Sequence, residues 1–408
     1  MDTNLTSLID HRSDQAAALL ARLISFPSTA GNEREIQQFL AEYTGELGFE
    51  PRLVPIYRNI ESDADYTPVP NHKGYHDRRN LVLAVEGKGG GRSIILNTHV
   101  DVVPGPDELF QPRIENGTVY GRGAVDAKGH VVTILLALSA LKDTGIRLSG
   151  DVIVQFVIEE EAGGNGALSV ILDGMRADGV IVMESTDFCI HPAGRGAVWF
   201  KLTIEGKSTH MGRWKDGVNA IEKMVGAIHI LQDYEQELLA QSGNDPLFPD
   251  PAANVKVNFG QIQGGEWPSM VAGKCVLEGG IGFLPNKRLA EIREEVQQAL
   301  ESRADEWTRQ HYSLDFSRLH NEAYRMDPDD AIVKTLAESV KTCGLIPNIT
   351  GMTASCDARL FWHRGRMPTV VFGPGKFPYA HALDEQISIA DITTGAKILA
   401  DFLIRWCQ

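Results

Sequence analysis

The sequence predicts an α/β protein: a mixed, mostly parallel sheet with helices on both faces, and a second, α+β domain inserted into its middle. Three observations carry this. The first half alternates helical periodicity with short, nearly continuous apolar runs, the pattern of strands covered on both faces. Around Gly194 the pattern changes to alternating strands separated by long charged helices, and from Asp329 the first pattern resumes. The 408 residues also exceed what one hydrophobic core usually holds.

In chain order, Ile36, Leu40, Tyr43 and Leu47 share one face of a helix over Glu33–Leu47, which Gly48 stops. The polar stretch Pro55–Arg79, with Pro68, Pro70 and Gly74, reads as a long surface loop. Asn80–Glu86 (NLVLAVE), Ser93–Thr98 (SIILNT), Asp151–Ile158 (DVIVQFVI) and Gly179–Met183 (GVIVM) read as strands. Val131–Leu141 reads as a buried helix, too short to span a bilayer. Beyond Gly194, Ala197–Glu205, Asn254–Gln263 and Lys274–Phe283 are strands, while Asp216–Gln241 and Asn286–Arg309 are long helices. The resulting βαββαβ order predicts a small separate sheet with two helices on one face. The helix Asp329–Gly344, the strand Pro368–Phe372 and the helix Ile389–Trp406 complete the first pattern. Residues 1–193 and 314–408 are therefore expected to form one discontinuous domain and residues 194–313 the insert.

Composition narrows the function. Hydrophobic residues make up 43% and charged residues 23%, an ordinary globular balance. The net charge of -15 argues against nucleic acid, whose phosphates need Lys and Arg. Met1–Arg12 is polar and lacks the apolar core of a signal peptide, and no apolar run is long enough for a membrane span. Cys189, Cys275, Cys343, Cys356 and Cys407 are widely spaced and odd in number. Reduced, mostly buried thiols account for them, so a cytoplasmic protein is expected.

Chemistry-bearing residues gather at the carboxyl ends of the expected strands, where open α/β sheets bind ligands. SIILNT runs into His99 and Asp101, DVIVQFVI into Glu159, Glu160 and Glu161, and GVIVM into Glu184. PTVVF is followed by a loop reaching His381, and Asp126 lies just before a helix. Acids this close repel strongly unless a cation sits among them. Mixed imidazole and carboxylate donors suit zinc, cobalt or manganese, and carboxylates can bridge two metals. Consecutive side chains leaving a strand point in different directions, so one glutamate can bind metal while the next faces substrate. Spacing alone permits a shift by one among Glu159, Glu160 and Glu161.

These motifs are HVDVVP (His99–Pro104), GRGAVDAKG (Gly121–Gly129), EEEAGGNGA (Glu159–Ala167), ES (Glu184–Ser185), GKSTHMG (Gly206–Gly212) and the late His381. They resemble, in order and spacing, those of the family that includes acetylornithine deacetylase, succinyl-diaminopimelate desuccinylase, aminoacylase and carboxypeptidase G. The resemblance covers nearly the whole chain. It implies a zinc-exopeptidase-like fold, two divalent ions per subunit (Zn²⁺, with Co²⁺ or Mn²⁺ as substitutes), and a homodimer formed through residues 194–313. Asp126 would bridge the ions, His99 and Glu184 would complete one site, and Glu161 and His381 the other. Asp101 would orient the His99 ring, Glu160 would be the general acid/base, and His210 would help hold the oxyanion.

The implied activity is metal-dependent hydrolysis of an amide, most simply deacylation of an N-acyl amino acid or a related small amide. A metallo-exopeptidase of the same family is the alternative. A ligand-binding relative without catalysis is a weaker one, because every ligand position holds a competent residue type. One departure stands out. The family's "D-I-R-x-L-P" stretch, whose Arg often meets a substrate carboxylate, is Gly280–Pro285 (GIGFLP) here, with Gly282 at the Arg position. Arg195, Arg213 or Arg359 could substitute, and Asn258 is another polar candidate; the loss points to a small or atypical amide. Plainer readings apply elsewhere. Asp101 could cap a turn and His210 could be a surface turn residue. Glu159 reads as a solvated strand end, Cys356 as core, and His72, His76, His130 and His191 as structural or solvent-facing. Gly87–Gly91 and Gly163–Gly166 read as turns.

Overall fold

The computed structural model describes residues 3–69 and 74–408; His72 lies outside them. The chain forms two compact units. One comprises Met1–Ala193, Arg325–Met352 and Cys356–Gln408, and the other Gly194–Tyr324 with Thr353–Ser355.

The first unit is built on a mixed nine-stranded sheet. At its centre Ile94–His99 pairs in parallel with Val152–Val157 on one side and Val180–Val182 on the other, and Thr369–Val371 extends the parallel run. The flanks are antiparallel: Arg79–Val85 joins Val152–Val157, Pro51–Pro55 joins Arg79–Val85, and Ile190–Gly194 joins Thr369–Val371. Every residue of Ile94–His99 is buried, which explains why the run shows no polar alternation. Helix Lys128–Asp143 packs on that strand and Arg34–Glu46 on the antiparallel edge. Each fully buried aliphatic side chain, such as Ile94 or Leu96, contributes ~1.5–3 kcal/mol of hydrophobic stabilisation.

The second unit carries an antiparallel sheet in the order Lys256–Gly264, Lys274–Phe283, Gly196–Glu205 and Tyr312–Asp315, with His320–Asn321 also beside Gly196–Glu205. Gly196–Glu205 alternates strictly, with its even-numbered residues buried, and helix Ala220–Ala240 packs against the sheet. Asn219 caps that helix by accepting the Ile221 N–H, so it starts later than Asp216.

Two expectations need correction. The second unit runs to Tyr324 rather than ending at 313, because Tyr312–Asp315 and His320–Asn321 both pair with Gly196–Glu205. The helix expected over Asn286–Arg309 is two, Leu289–Arg303 and Glu306–His311. Asp305 breaks it by leaving helical geometry and capping the Thr308 N–H. Sequence reading also passed over helices Thr3–His11, Ser13–Ile24, Asn165–Leu172 and Ala358–His363, and a small sheet of Arg113–Glu115, Thr118–Tyr120 and Gln386–Ser388. Among the described residues, no helix is long and apolar enough to cross a membrane.

Candidate active site

The residues picked out at the strand ends converge in the first unit. His99 closes the strand Ile94–His99, Glu160 and Glu161 follow Val152–Val157, and Glu184 follows Val180–Val182. Asp126 precedes helix Lys128–Asp143, and His381 lies in the loop after Thr369–Val371. His99 Nε2 is 3.1 Å from Asp126 Oδ1 and 3.8 Å from Glu184 Oε1. His381 Nε2 is 3.2 Å from Asp126 Oδ2 and 3.0 Å from Glu161 Oε1. Asp126 thus offers one oxygen to each imidazole. Donor atoms of His99, Glu160 and Glu184 lie within 4.8 Å of one another, and so do those of Asp126, Glu161 and His381. Glu160 therefore stands among the first group, beside the two residues that the resemblance assigns to one ion.

The electrostatics fit a pair of cations. Burial pushes the Glu160, Glu161 and Glu184 carboxyls up, and neighbouring acids add to the push. Burial also pushes on Asp126, but His381 and His99 outweigh it and hold this carboxyl well below the usual range. Burial opposes a charge on His99, yet Asp101, Asp126 and Glu184 raise it well above its ordinary value. His381 is pushed up to about 10 by Asp126 and Glu161. A divalent ion in each group makes the ionised carboxylate and the neutral imidazole the preferred forms. The donor set suits two such ions.

Several side chains hold this arrangement. His99 Nδ1 lies 3.0 Å from the Asp101 carbonyl oxygen and 3.5 Å from its carboxylate. That carboxylate accepts the Glu160 and Glu161 N–H groups, each at 3.1 Å. It thereby ties the His99 strand to the turn carrying both glutamates. Glu385, which sequence reading missed, accepts the N–H groups of Gly123, Val125 and Asp126 and pairs with Arg122 at 2.6 Å. Arg122 also donates to the His381 and Ala382 carbonyls. The pair lashes the Asp126 loop to the His381 loop. Only the Arg in GRGAVDAKG could have hinted at it. Asp357 was also missed; it is buried beside the first group, its carboxyl is pushed up to about 7 by burial, and its charge raises Glu160 and Glu184. Glu159 is not a solvated strand end: it is fully buried.

The other candidates have partners of their own. His210 lies in the second unit and accepts the Gly212 N–H on Nδ1 at 3.1 Å, which leaves the proton on Nε2. A Cβ at Gly282 would meet Arg195 Nη1 at 2.7 Å: the Arg195 guanidinium lies over this glycine and donates to the Asn254 carbonyl at 3.0 Å. The two residues, with Trp199, Asn258 and Gly280, line a hollow of about 640 Å³ in the second unit. Arg213 is exposed and pairs with Asp216. Arg359 is buried and donates to the Gly163 carbonyl. His76 is exposed, while His130 and His191 are buried and meet the Pro374 and Thr350 carbonyls. Cys356 is core, and all five cysteines are free thiols.

A sequence profile described as Peptidase family M20/M25/M40 matches residues 95–405. The chain belongs to this family. Across 99% of its length it is 29% identical to N-formyl-4-amino-5-aminomethyl-2-methylpyrimidine deformylase of Halalkalibacterium halodurans, spanning 97% of that protein. It is 28% identical to acetylornithine deacetylase of Pasteurella multocida over 92% of each chain. The solved dipeptidase Dug1p of Saccharomyces cerevisiae shares the fold, with a TM-score of 0.79 at 16% identity over 99% of this chain and 98% of that one. This M20 family member is an amidohydrolase.

Proposed function

We propose that this M20 family enzyme removes a small acyl group, formyl or acetyl, from the nitrogen of a small amine or amino acid. His99, Asp126, Glu161, Glu184 and His381 would hold two zinc ions, for which cobalt or manganese could substitute. The observation that carries the reading is Asp126 offering one carboxylate oxygen to each of two donor groups. The named relatives act on formyl and acetyl groups, which supports a short acyl chain.

When bound, the ions acidify water and polarise the amide carbonyl. Glu160 is the proton carrier: one carboxylate oxygen takes the proton released by water and returns it to the departing nitrogen. Burial pushes its carboxyl up from the ordinary glutamate range, the direction in which enzymes tune a glutamate for proton transfer. Asp101 accepts the Glu160 N–H and so fixes the backbone from which that side chain projects. His210 would donate its Nε2 proton to the developing oxyanion.

A homodimer through the second unit belongs to the same reading. Ile262, Trp267 and Val225 are 54%, 68% and 47% exposed there, large apolar side chains that a partner subunit would cover. A single monomeric species in sedimentation at micromolar concentration would overturn it. Five unpaired thiols support a reducing, cytoplasmic setting. The deciding experiment is a panel of formyl-, acetyl- and succinyl-amides against free dipeptides. Turnover should be fastest for formyl or acetyl amides; faster cleavage of dipeptides refutes the proposal.

A further inference from the structure

Three glutamates leave one strand in succession, yet two different donor groups each receive one of them. Glu159 is the residue that decides the register. Its φ is +61°, a left-handed conformation natural to glycine or asparagine and unfavourable for glutamate. A residue holds such a backbone only where its surroundings over-determine it. Here they do: Glu159 is fully buried, Tyr75 Oη donates to its Oε2 at 2.6 Å, and Asn165 Nδ2 donates to the same oxygen at 2.8 Å. Arg78 Nη2 meets Oε1 at 2.5 Å. Arg78 is itself anchored by Glu33, with Nε to Oε2 at 2.8 Å and Nη2 to Oε1 at 2.6 Å. The turn is closed by the Gly163 and Gly164 N–H groups, which donate to the Glu160 and Glu159 carbonyls.

We propose that the Arg78–Glu159 pair is a register pin. It withdraws the first glutamate into the core, so that Glu160 joins His99 and Glu184 while Glu161 joins Asp126 and His381. Arg78 and Glu159 are positioning residues that touch neither substrate nor ion. A buried ion pair is weak evidence for added stability, so the strained backbone and the convergence of three donors argue for a positional role. The alternative is that the turn needs only its left-handed backbone, with the side chain incidental. Glycine separates the two, because it adopts φ +61° without strain and removes the clamp.

The inference rests on the two-ion reading but is tested without substrate, by zinc competition with a chromogenic chelator on the full-length protein. Glu159→Gly should bind zinc ~10–100-fold more weakly, the usual effect of losing support behind a ligand, and kcat on a formyl amide should fall as far with KM nearly constant. Arg78→Gln should match it, and Arg78→Lys should recover part of the loss. Zinc affinity and kcat close to wild type in Glu159→Gly overturn the pin. If that variant does not accumulate, Tyr75→Phe removes one donor and keeps the shape. It should show the same pattern at roughly threefold to tenfold, the worth of one hydrogen bond, and an unchanged zinc affinity there overturns the pin equally. Wild-type protein that takes up no pair of zinc ions sinks the parent reading, whereas normal wild-type uptake with no effect in the variants sinks only this one.

Discussion

At the scale of single residues, the chemistry divides between groups that hold charge and groups that move it. Glu160→Gln keeps the shape and removes the carboxylate proposed as proton carrier. It should retain its metal content and lose ~10²–10⁴-fold in kcat, the usual cost of removing a general acid/base; metal analysis and steady-state kinetics check both halves. Arg195 poses a different question. Its guanidinium occupies the space that Gly282 leaves open, burial lowers its proton affinity, and among the described residues no acid offsets that burial. A desolvated cation of this kind suits an anionic group on a ligand. Arg195→Met should raise KM for an N-acetyl amino acid ~10–100-fold, matching one charged hydrogen bond, and leave KM for an uncharged formamide unchanged. Equal effects on both substrates would show that Arg195 serves packing instead. The cluster itself was legible, because Asp, Glu and His gathered at successive strand ends and in the loops beside them have few other uses, and the structure brings His99, Asp126, Glu160, Glu161, Glu184 and His381 together. Glu159, Glu385 and Asp357 were not, since an isolated acid carries no mark of whether the fold will bury it.

At the scale of elements, helix Lys128–Asp143 carries a titratable group into the core. His130 is fully buried on it, and its imidazole is pushed down to about 4, chiefly by burial. The unfolded chain binds a proton near pH 6.5, so this histidine leaves the fold at full stability above pH 6.5. Stability is lost as pH falls from 6.5 towards 4, where the deficit approaches ~3 kcal/mol. Melting temperatures from pH 7 to 4.5 should therefore fall more steeply for wild type than for His130→Gln, which keeps a donor for the Pro374 carbonyl; parallel curves would contradict this. Strong periodicity made most long elements readable: Glu33–Leu47 was expected as a helix and Arg34–Glu46 is one. Short elements escaped for physical reasons. Asn165–Leu172 begins directly after Gly163 and Gly164, both at positive φ, so its first residues look like the end of a turn. The break at Ala304–Asp305 escaped because apolar periodicity continues across it, while the Asp305 side chain satisfies the Thr308 N–H and starts a new helix.

At the scale of the whole molecule, binding of the ions and stability of the fold are linked, because a partner that binds only the native state stabilises it by mass action. Prolonged dialysis against a chelator should abolish turnover and lower the melting temperature, and two equivalents of zinc should restore both. Full activity in metal-free protein would end the two-ion reading. The amino-acid sequence by itself determined the α/β class, the insertion near Gly194 and the strand ends where acids and imidazoles gather, because hydrophobic period and the clustering of like charges are local signals; the choice among Glu159, Glu160 and Glu161 came from the family resemblance. Only the tertiary structure decided that the second unit continues to Tyr324, that Asp126 turns an oxygen to each imidazole, and that Glu159 is drawn inward while Glu160 and Glu161 face the donor groups. Those outcomes depend on partners far away in the chain, such as Arg78 for Glu159 and Arg122 for Glu385. No local pattern encodes which distant charge a buried acid will meet.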